Sequence, residues 1–154
     1  MGALRFAIGL DGTLLPPMLR LDNDQYLAIV AHAIDAVPDE ACGLLAARPG
    51  GESGDIQQVY RCRNVRASAK VYEPHPLDVA AADDDAGARG LTLTGVYHSH
   101  THTEAYPSPT DVAEAGWPDW HYVIVSLKLP EPDVRSFRIV DGRIDEEPVV
   151  VVGR

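Results

Sequence analysis

Leu91-Thr92-Leu93-Thr94-Gly95-Val96-Tyr97-His98-Ser99-His100, followed by Ser108-Pro109-Thr110-Asp111, is the stretch on which the reading of this chain turns. Its first half alternates and is partly β-branched, the pattern of an extended segment whose successive side chains point to opposite faces. His98 and His100, two apart, therefore project from one side of a strand, where a single metal ion can meet both imidazoles. Seven residues separate His100 from Ser108, and Asp111 stands three further on. Ser108 is also an N-cap by residue type, with Pro109 at the first helical position, an acid at the third, and Gly116 as a stop after Val112-Ala113-Glu114-Ala115. Taken singly, His-x-His describes a pair of hydrogen-bonded or surface histidines, and Ser108 to Asp111 describes a cap. The joint spacing makes them one piece of architecture, because a helix starting at Ser108 points Asp111 from its first turn back toward the strand end that carries the histidines. Catalytic zinc takes three protein ligands and keeps a fourth position for water. His98, His100 and Asp111 thus read as a hydrolytic site for one Zn2+ per chain.

Working outward, Asp22 to Val37 is the clearest helix. Asp22 can cap, Gln25 sits three later, and Tyr26, Ile29, Val30, Ala33, Ile34 and Val37 form one apolar face before Pro38 stops it. Strands are predicted at about residues 41–47 and 56–65, a second helix over 76–88 ending near Gly90, and further strands at 121–127, 134–140 and 149–152. Asp141-Gly142 is a hairpin turn by type. Helices interspersed among strands, with late hairpins, imply an α/β fold with a mixed sheet flanked by helices. Residues 18–154 read as a single domain and residues 1–17 as an N-terminal extension, in which Phe6-Ala7-Ile8-Gly9-Leu10 has the character of an edge strand or of a segment packing on a neighbouring chain.

Composition narrows the class. With 154 residues and 45% hydrophobic content, the chain is long enough for one sizeable core. Cys42 and Cys62 are too few for a disulfide framework, and residues 1–17 lack a basic start and have their apolar run interrupted by Asp11, unlike a signal peptide. No stretch approaches the roughly 20 apolar residues of a membrane helix, so a cytoplasmic location is expected. The net charge of −10 repels nucleic acid and anionic membranes, excluding both as partners. Cys42 reads as a buried structural thiol within Ala41-Cys42-Gly43-Leu44-Leu45. His102 reads as a loop residue near the mouth of the site, and His32, His75 and His121 as structural or surface residues.

The set His98-x-His100, seven residues, Ser108, two residues and Asp111 resembles the signature of the JAMM, or MPN+, zinc metalloproteases. That signature also carries a distant catalytic Glu at the start of a core strand. Nothing in the spacing separates Glu40 from Glu104 or Glu114; the resemblance places Glu40, in Pro38-Asp39-Glu40-Ala41-Cys42-Gly43, at that position. It further implies a mostly antiparallel sheet in the MPN/JAB, cytidine-deaminase-like α-β-α sandwich. Together with Ser136-Phe137-Arg138-Ile139-Val140-Asp141-Gly142, the two blocks are similar to small bacterial members that release cysteine from a ubiquitin-like sulfur-carrier protein. The expected activity is therefore amide or isopeptide hydrolysis after a terminal Gly-Gly, with Glu40 moving the proton and Ser108 donating to the oxyanion. The alternative is a non-catalytic MPN-type binding module, against which the complete residue set argues. Ser108 is expected to be torn between cap and oxyanion donor, and a purely capping role would make Ser108→Ala cost about 1 kcal/mol of stability.

Overall fold

The computed structural model describes residues 7–8, 10–15, 17–50 and 54–153. Two short strands, β1 (Ala7–Ile8) and β2 (Leu14–Leu15), pair antiparallel in a sheet of their own, so this segment does not extend the main sheet. Phe6 and Gly9 lie outside the described residues. Then come β3 (Leu19–Asp22), α1 (Asn23–Ala36), β4 (Cys42–Ala47), β5 (Gln58–Cys62), α2 (Pro76–Ala88), β6 (Thr92–His100), α3 (Pro109–Glu114), β7 (His121–Ser126), β8 (Asp133–Val140), β9 (Arg143–Glu147) and β10 (Val149–Val152).

The central sheet has the order β5-β4-β6-β7-β8-β9. All its neighbours run antiparallel except β6 and β7, which are parallel and joined through α3. Alternation along the strands divides the core. Cys42, Leu44, Val96, Tyr122, Ile124 and Phe137 pack on one face with α2, Val112 and Ala115. Leu45, Tyr97, Val123 and Val125 pack on the other with Ile29 and Ala33 of α1 and with Leu19 and Leu21 of β3. The result is an α-β-α sandwich with a mixed, mostly antiparallel sheet. Gly43 allows β4 to lie close to its neighbours, since a Cβ there would collide with the Tyr97 ring and the Tyr60 carbonyl.

Both helix starts behave as their residue types require. Asp22 Oδ1 accepts from Gln25 N at 2.8 Å while Gln25 Oε1 accepts from Asp22 N at 2.9 Å, a complete capping box. The buried stripe of α1 is narrower than its composition implies: Ile29 and Ala33 are buried, whereas Ile34 and Val37 are exposed. Ile34 sits one position beyond Ala33, about 100° further round the helix and past the line of contact with the sheet. The predicted strand over 56–65 is shortened to β5, and two strands escape local pattern. β3 is four residues long and pairs in parallel with β10 from the far end of the chain. β9 is an edge strand of largely charged residues, the composition that discourages edge pairing. The β8–β9 turn has positive φ at both Asp141 (49°) and Gly142 (78°), as a two-residue type I′ hairpin demands.

A buried ionic cluster ties β7 to the β8–β9 edge. His121 Nδ1 meets Glu147 Oε1, Ser136 donates to the same oxygen at 2.7 Å, and Arg138 Nε reaches Glu147 Oε2 at 3.2 Å. Burial alone would raise the Glu147 pKa, but His121 and Arg138 overcome it and hold the carboxyl below its usual range. Among the described residues no helix is long and apolar enough to cross a membrane.

Candidate metal centre

β6 ends where the chemistry begins. His98 and His100 share the face of Val96, which looks onto α3, and Asp111 comes from the first turn of that helix. All three residues are buried. His98 Nε2 and His100 Nε2 stand 3.1 Å apart, and Asp111 Oδ2 lies 3.2 Å from each. His100 Nδ1 is 2.7 Å from the Glu104 carbonyl oxygen, which can only accept. Nδ1 therefore carries a proton, and Nε2, turned toward Asp111 and His98, is the nitrogen that can face a metal ion. A shared proton can satisfy this group, since Asp111 and the Glu104 carbonyl raise the His100 pKa against burial, and a metal ion can replace it, because ligands about 2.0–2.1 Å from a tetrahedral ion stand roughly 3.3 Å apart. His98, His100 and Asp111 can hold a metal ion. Burial would raise the Asp111 pKa, but the two imidazoles facing it and the Ser108 N–H hold the carboxyl far below its usual range, while burial pushes the His98 ring toward its neutral form.

Glu40 precedes β4 and faces this group. Its backbone N–H donates to the Ser68 carbonyl at 2.7 Å, and its carbonyl accepts from Asn64 Nδ2 at 3.1 Å. Ser99, on the opposite face of β6 from the histidines, accepts the Ala41 N–H on its hydroxyl at 2.8 Å and donates its own N–H to the Ala41 carbonyl. Register then sets Cys42 opposite His98. The Glu40 side chain is 4% exposed, and Oε2 has no hydrogen-bond partner among the described residues. Burial pushes its pKa up to about 7, with His100 opposing and Asp111 adding to the rise. Glu104 and Glu114, which spacing alone leaves open, are both exposed, and Glu104 pairs instead with Lys128 at 3.2 Å. An open groove of about 530 Å3 borders Glu40, lined also by Asp39, Asn64, Arg63 and His32.

Ser108 caps α3 in a second capping box: its Oγ accepts from Asp111 N at 3.1 Å, and Asp111 Oδ2 accepts from Ser108 N at 2.9 Å. The expected conflict between two duties of this hydroxyl dissolves. The cap uses a lone pair, whereas donation to an oxyanion uses the proton, and a hydroxyl has both. His102 is exposed on the loop after β6. His32 bonds to the Tyr97 hydroxyl at 2.7 Å, and His75 caps α2 by accepting from Leu77 N at 3.2 Å. Cys42 and Cys62 are free and buried, their thiols pushed up to about 12 and about 11 by burial, so neither is poised as a nucleophile.

Sequence reasoning missed the supports. Tyr72 stacks on His98 with ring centroids 4.1 Å apart and an interplanar angle of 16°. Asn64 and the Glu104 carbonyl also carry no motif, since one lies in an irregular loop and the other is main chain. Ser99 was discoverable, because alternation puts the residue between two inward histidines on the other face.

The chain belongs to the family of prokaryotic homologs of the JAB domain, whose model matches residues 22–140. It is 45% identical over 140 residues to the CysO-cysteine peptidase of Mycobacterium tuberculosis, covering 88% of this chain and 92% of that protein. It is also 31% identical to the desampylase of Haloferax volcanii, over 70% of this chain and 80% of that one. Among solved structures, a protein of Desulfitobacterium hafniense superimposes with a TM-score of 0.80 at 34% identity, covering 89% of this chain and 94% of that one. The mycobacterial relative is named a peptidase and the Haloferax one a desampylase, names that indicate peptidase or hydrolase activity in those relatives.

Proposed function

We propose that this chain is a zinc-dependent peptidase that hydrolyses the amide bond after the C-terminal Gly-Gly of a ubiquitin-like sulfur-carrier protein, releasing cysteine or another amine-linked partner. The observation that carries the reading is the convergence of three buried ligand atoms beside a buried carboxyl with an unpartnered oxygen. The name of the mycobacterial relative supports the substrate class, over nearly the full length of both chains. Residues 18–154 would act as one catalytic domain, with residues 1–17 an extension, and a cytoplasmic location suits two free cysteines. A binding module without turnover has no need of the complete set.

His98, His100 and Asp111 would hold the zinc. Bound there, zinc would supply Lewis acidity, which polarises a carbonyl and acidifies water. Glu40, desolvated and near enough to feel the charges of His100 and Asp111, takes the proton of the attacking water and returns it to the departing nitrogen as the C–N bond breaks. Ser108 directs its hydroxyl proton to the developing oxyanion while its lone pair keeps the cap. Ser108→Ala should then lower kcat by about 100- to 1,000-fold and also cost about 1 kcal/mol of stability. A stability loss with unchanged kcat would leave Ser108 with the cap alone. The loop over residues 101–107 borders the site with exposed His102 and Tyr106, and an extended tail ending in two glycines can approach a strand end closely for want of side chains.

The test is a ubiquitin-like sulfur carrier extended by cysteine after its Gly-Gly, incubated with zinc-loaded enzyme and read by mass spectrometry. Free cysteine and a carrier ending in Gly-Gly are expected. Efficient cuts at scattered internal sites with the adduct left whole would make this a general peptidase.

A further inference from the structure

The two histidines of the centre are held in different ways. His100 has its Nδ1 fixed by the Glu104 carbonyl at 2.7 Å. His98, 2% exposed, has no such partner, since its Nδ1 is buried and unbonded among the described residues. When Nε2 serves as a metal ligand beside Asp111, the proton of the neutral His98 ring must sit on Nδ1, where no described residue accepts it. An unpaired buried N–H favours rotation of the ring toward water, and that rotation would carry Nε2 away from Asp111 and His100. Tyr72 lies in the way, nearly parallel to the ring at 4.1 Å between centroids. The loop bearing it is anchored: Asn64 Nδ2 donates to the Val71 carbonyl at 3.2 Å, Asn64 Oδ1 accepts from Glu73 N at 3.0 Å, and Glu40 N donates to the Ser68 carbonyl.

We infer that Tyr72 is the positioning residue of His98, a face-to-face aromatic plate that performs for this ligand what a hydrogen bond to a carbonyl performs for His100. The inference rests on the proposed metal-binding role of His98. It assigns the loop from Asn64 to Pro74 a part in metal affinity, although that loop contributes no ligand. Loss of a group that orients a ligand typically weakens metal affinity by about 10- to 100-fold.

The experiment titrates metal-free protein with zinc against a chromogenic chelator, for the parent and for Tyr72→Phe and Tyr72→Leu, with the fold of each metal-free variant followed by circular dichroism. Tyr72→Phe keeps the plate and should bind zinc within about threefold of the parent. Tyr72→Leu fills much of the space without a ring and should bind about 10- to 100-fold more weakly. A folded Tyr72→Leu protein with parental affinity overturns the inference, as does a Tyr72→Phe protein weakened as much as Tyr72→Leu, which would credit the hydroxyl. A metal-free Tyr72→Leu protein that fails to fold assigns the ring to the core and overturns it too. Should the parent itself take up no zinc, the reading of the centre falls along with this one, whereas a zinc-binding parent with unaffected variants overturns this inference alone.

Discussion

Glu40→Gln should lower kcat by about 100- to 10,000-fold while zinc content, thermal stability and KM stay near those of the parent. Glutamine keeps the shape of the side chain and removes its ability to take a proton, so the loss falls on the chemical step. The buried setting makes the substitution mild for the fold, because Oε2 has no partner to lose. Burial first, and Asp111 second, raise this carboxyl toward 7, with His100 opposing. A base works only when ionised, so kcat/KM should climb with pH through the pKa of Glu40 and level off above it. A dication held by His98, His100 and Asp111 pulls that carboxyl down, which puts the rising limb at or below about pH 7 in the loaded enzyme. The residual activity of Glu40→Gln should lack the limb. Near-parental turnover in the variant would remove Glu40 from the mechanism, and the exposure of Glu104 and Glu114 leaves neither an obvious replacement.

The second large effect is loss of the metal itself. His98→Ala together with His100→Ala removes two of three ligands, and elemental analysis after dialysis should fall from about one zinc per chain to background, with activity abolished. Asp111 cannot compensate, since one carboxylate in a pocket built for three donors gives neither the ligand number nor the geometry zinc takes. Both histidines are buried, so the double variant leaves a cavity at the end of β6, and its zinc content is to be read on protein shown to be folded by circular dichroism. Zinc retained undiminished by the folded double variant would place the site elsewhere.

Much of this was legible because the informative residues obey local rules. Two histidines two apart on a strand share a face, and Ser108-Pro109-Thr110-Asp111 has the composition of a helix start, so the periods of 2 and 3.6 pointed to His98, His100 and Asp111, while the crossover from β6 to β7 through α3 brings them together. The Asp22–Gln25 box and the Asp141-Gly142 turn were readable for the same reason. Glu40 was not. It reaches the centre through β4–β6 pairing across more than fifty residues, which spacing cannot encode, and only family resemblance pointed to it. β3 was hidden because its partner β10 is at the other end of the chain, and β9 because an edge strand is selected for charge rather than for alternation. Tyr72 sits in a loop with no period at all, so its stacking on His98 is a purely tertiary fact.

The three proposed ligands all fall between residues 98 and 111, and this closeness along the chain has a thermodynamic side. Ligands gathered from distant segments disperse on unfolding, and a metal then rewards only the native state. Here the denatured chain keeps all three within a short loop, and closing a loop costs free energy that grows only with the logarithm of its length. A denatured chain that retains some affinity cancels part of the stabilisation that binding confers on the native one. Chelation should therefore shift the melting temperature by less than the native affinity implies. The apolar layers on either side of the sheet hold the domain together, and the proposed metal would be left to serve reactivity, with its loss and return expected to leave the chain folded.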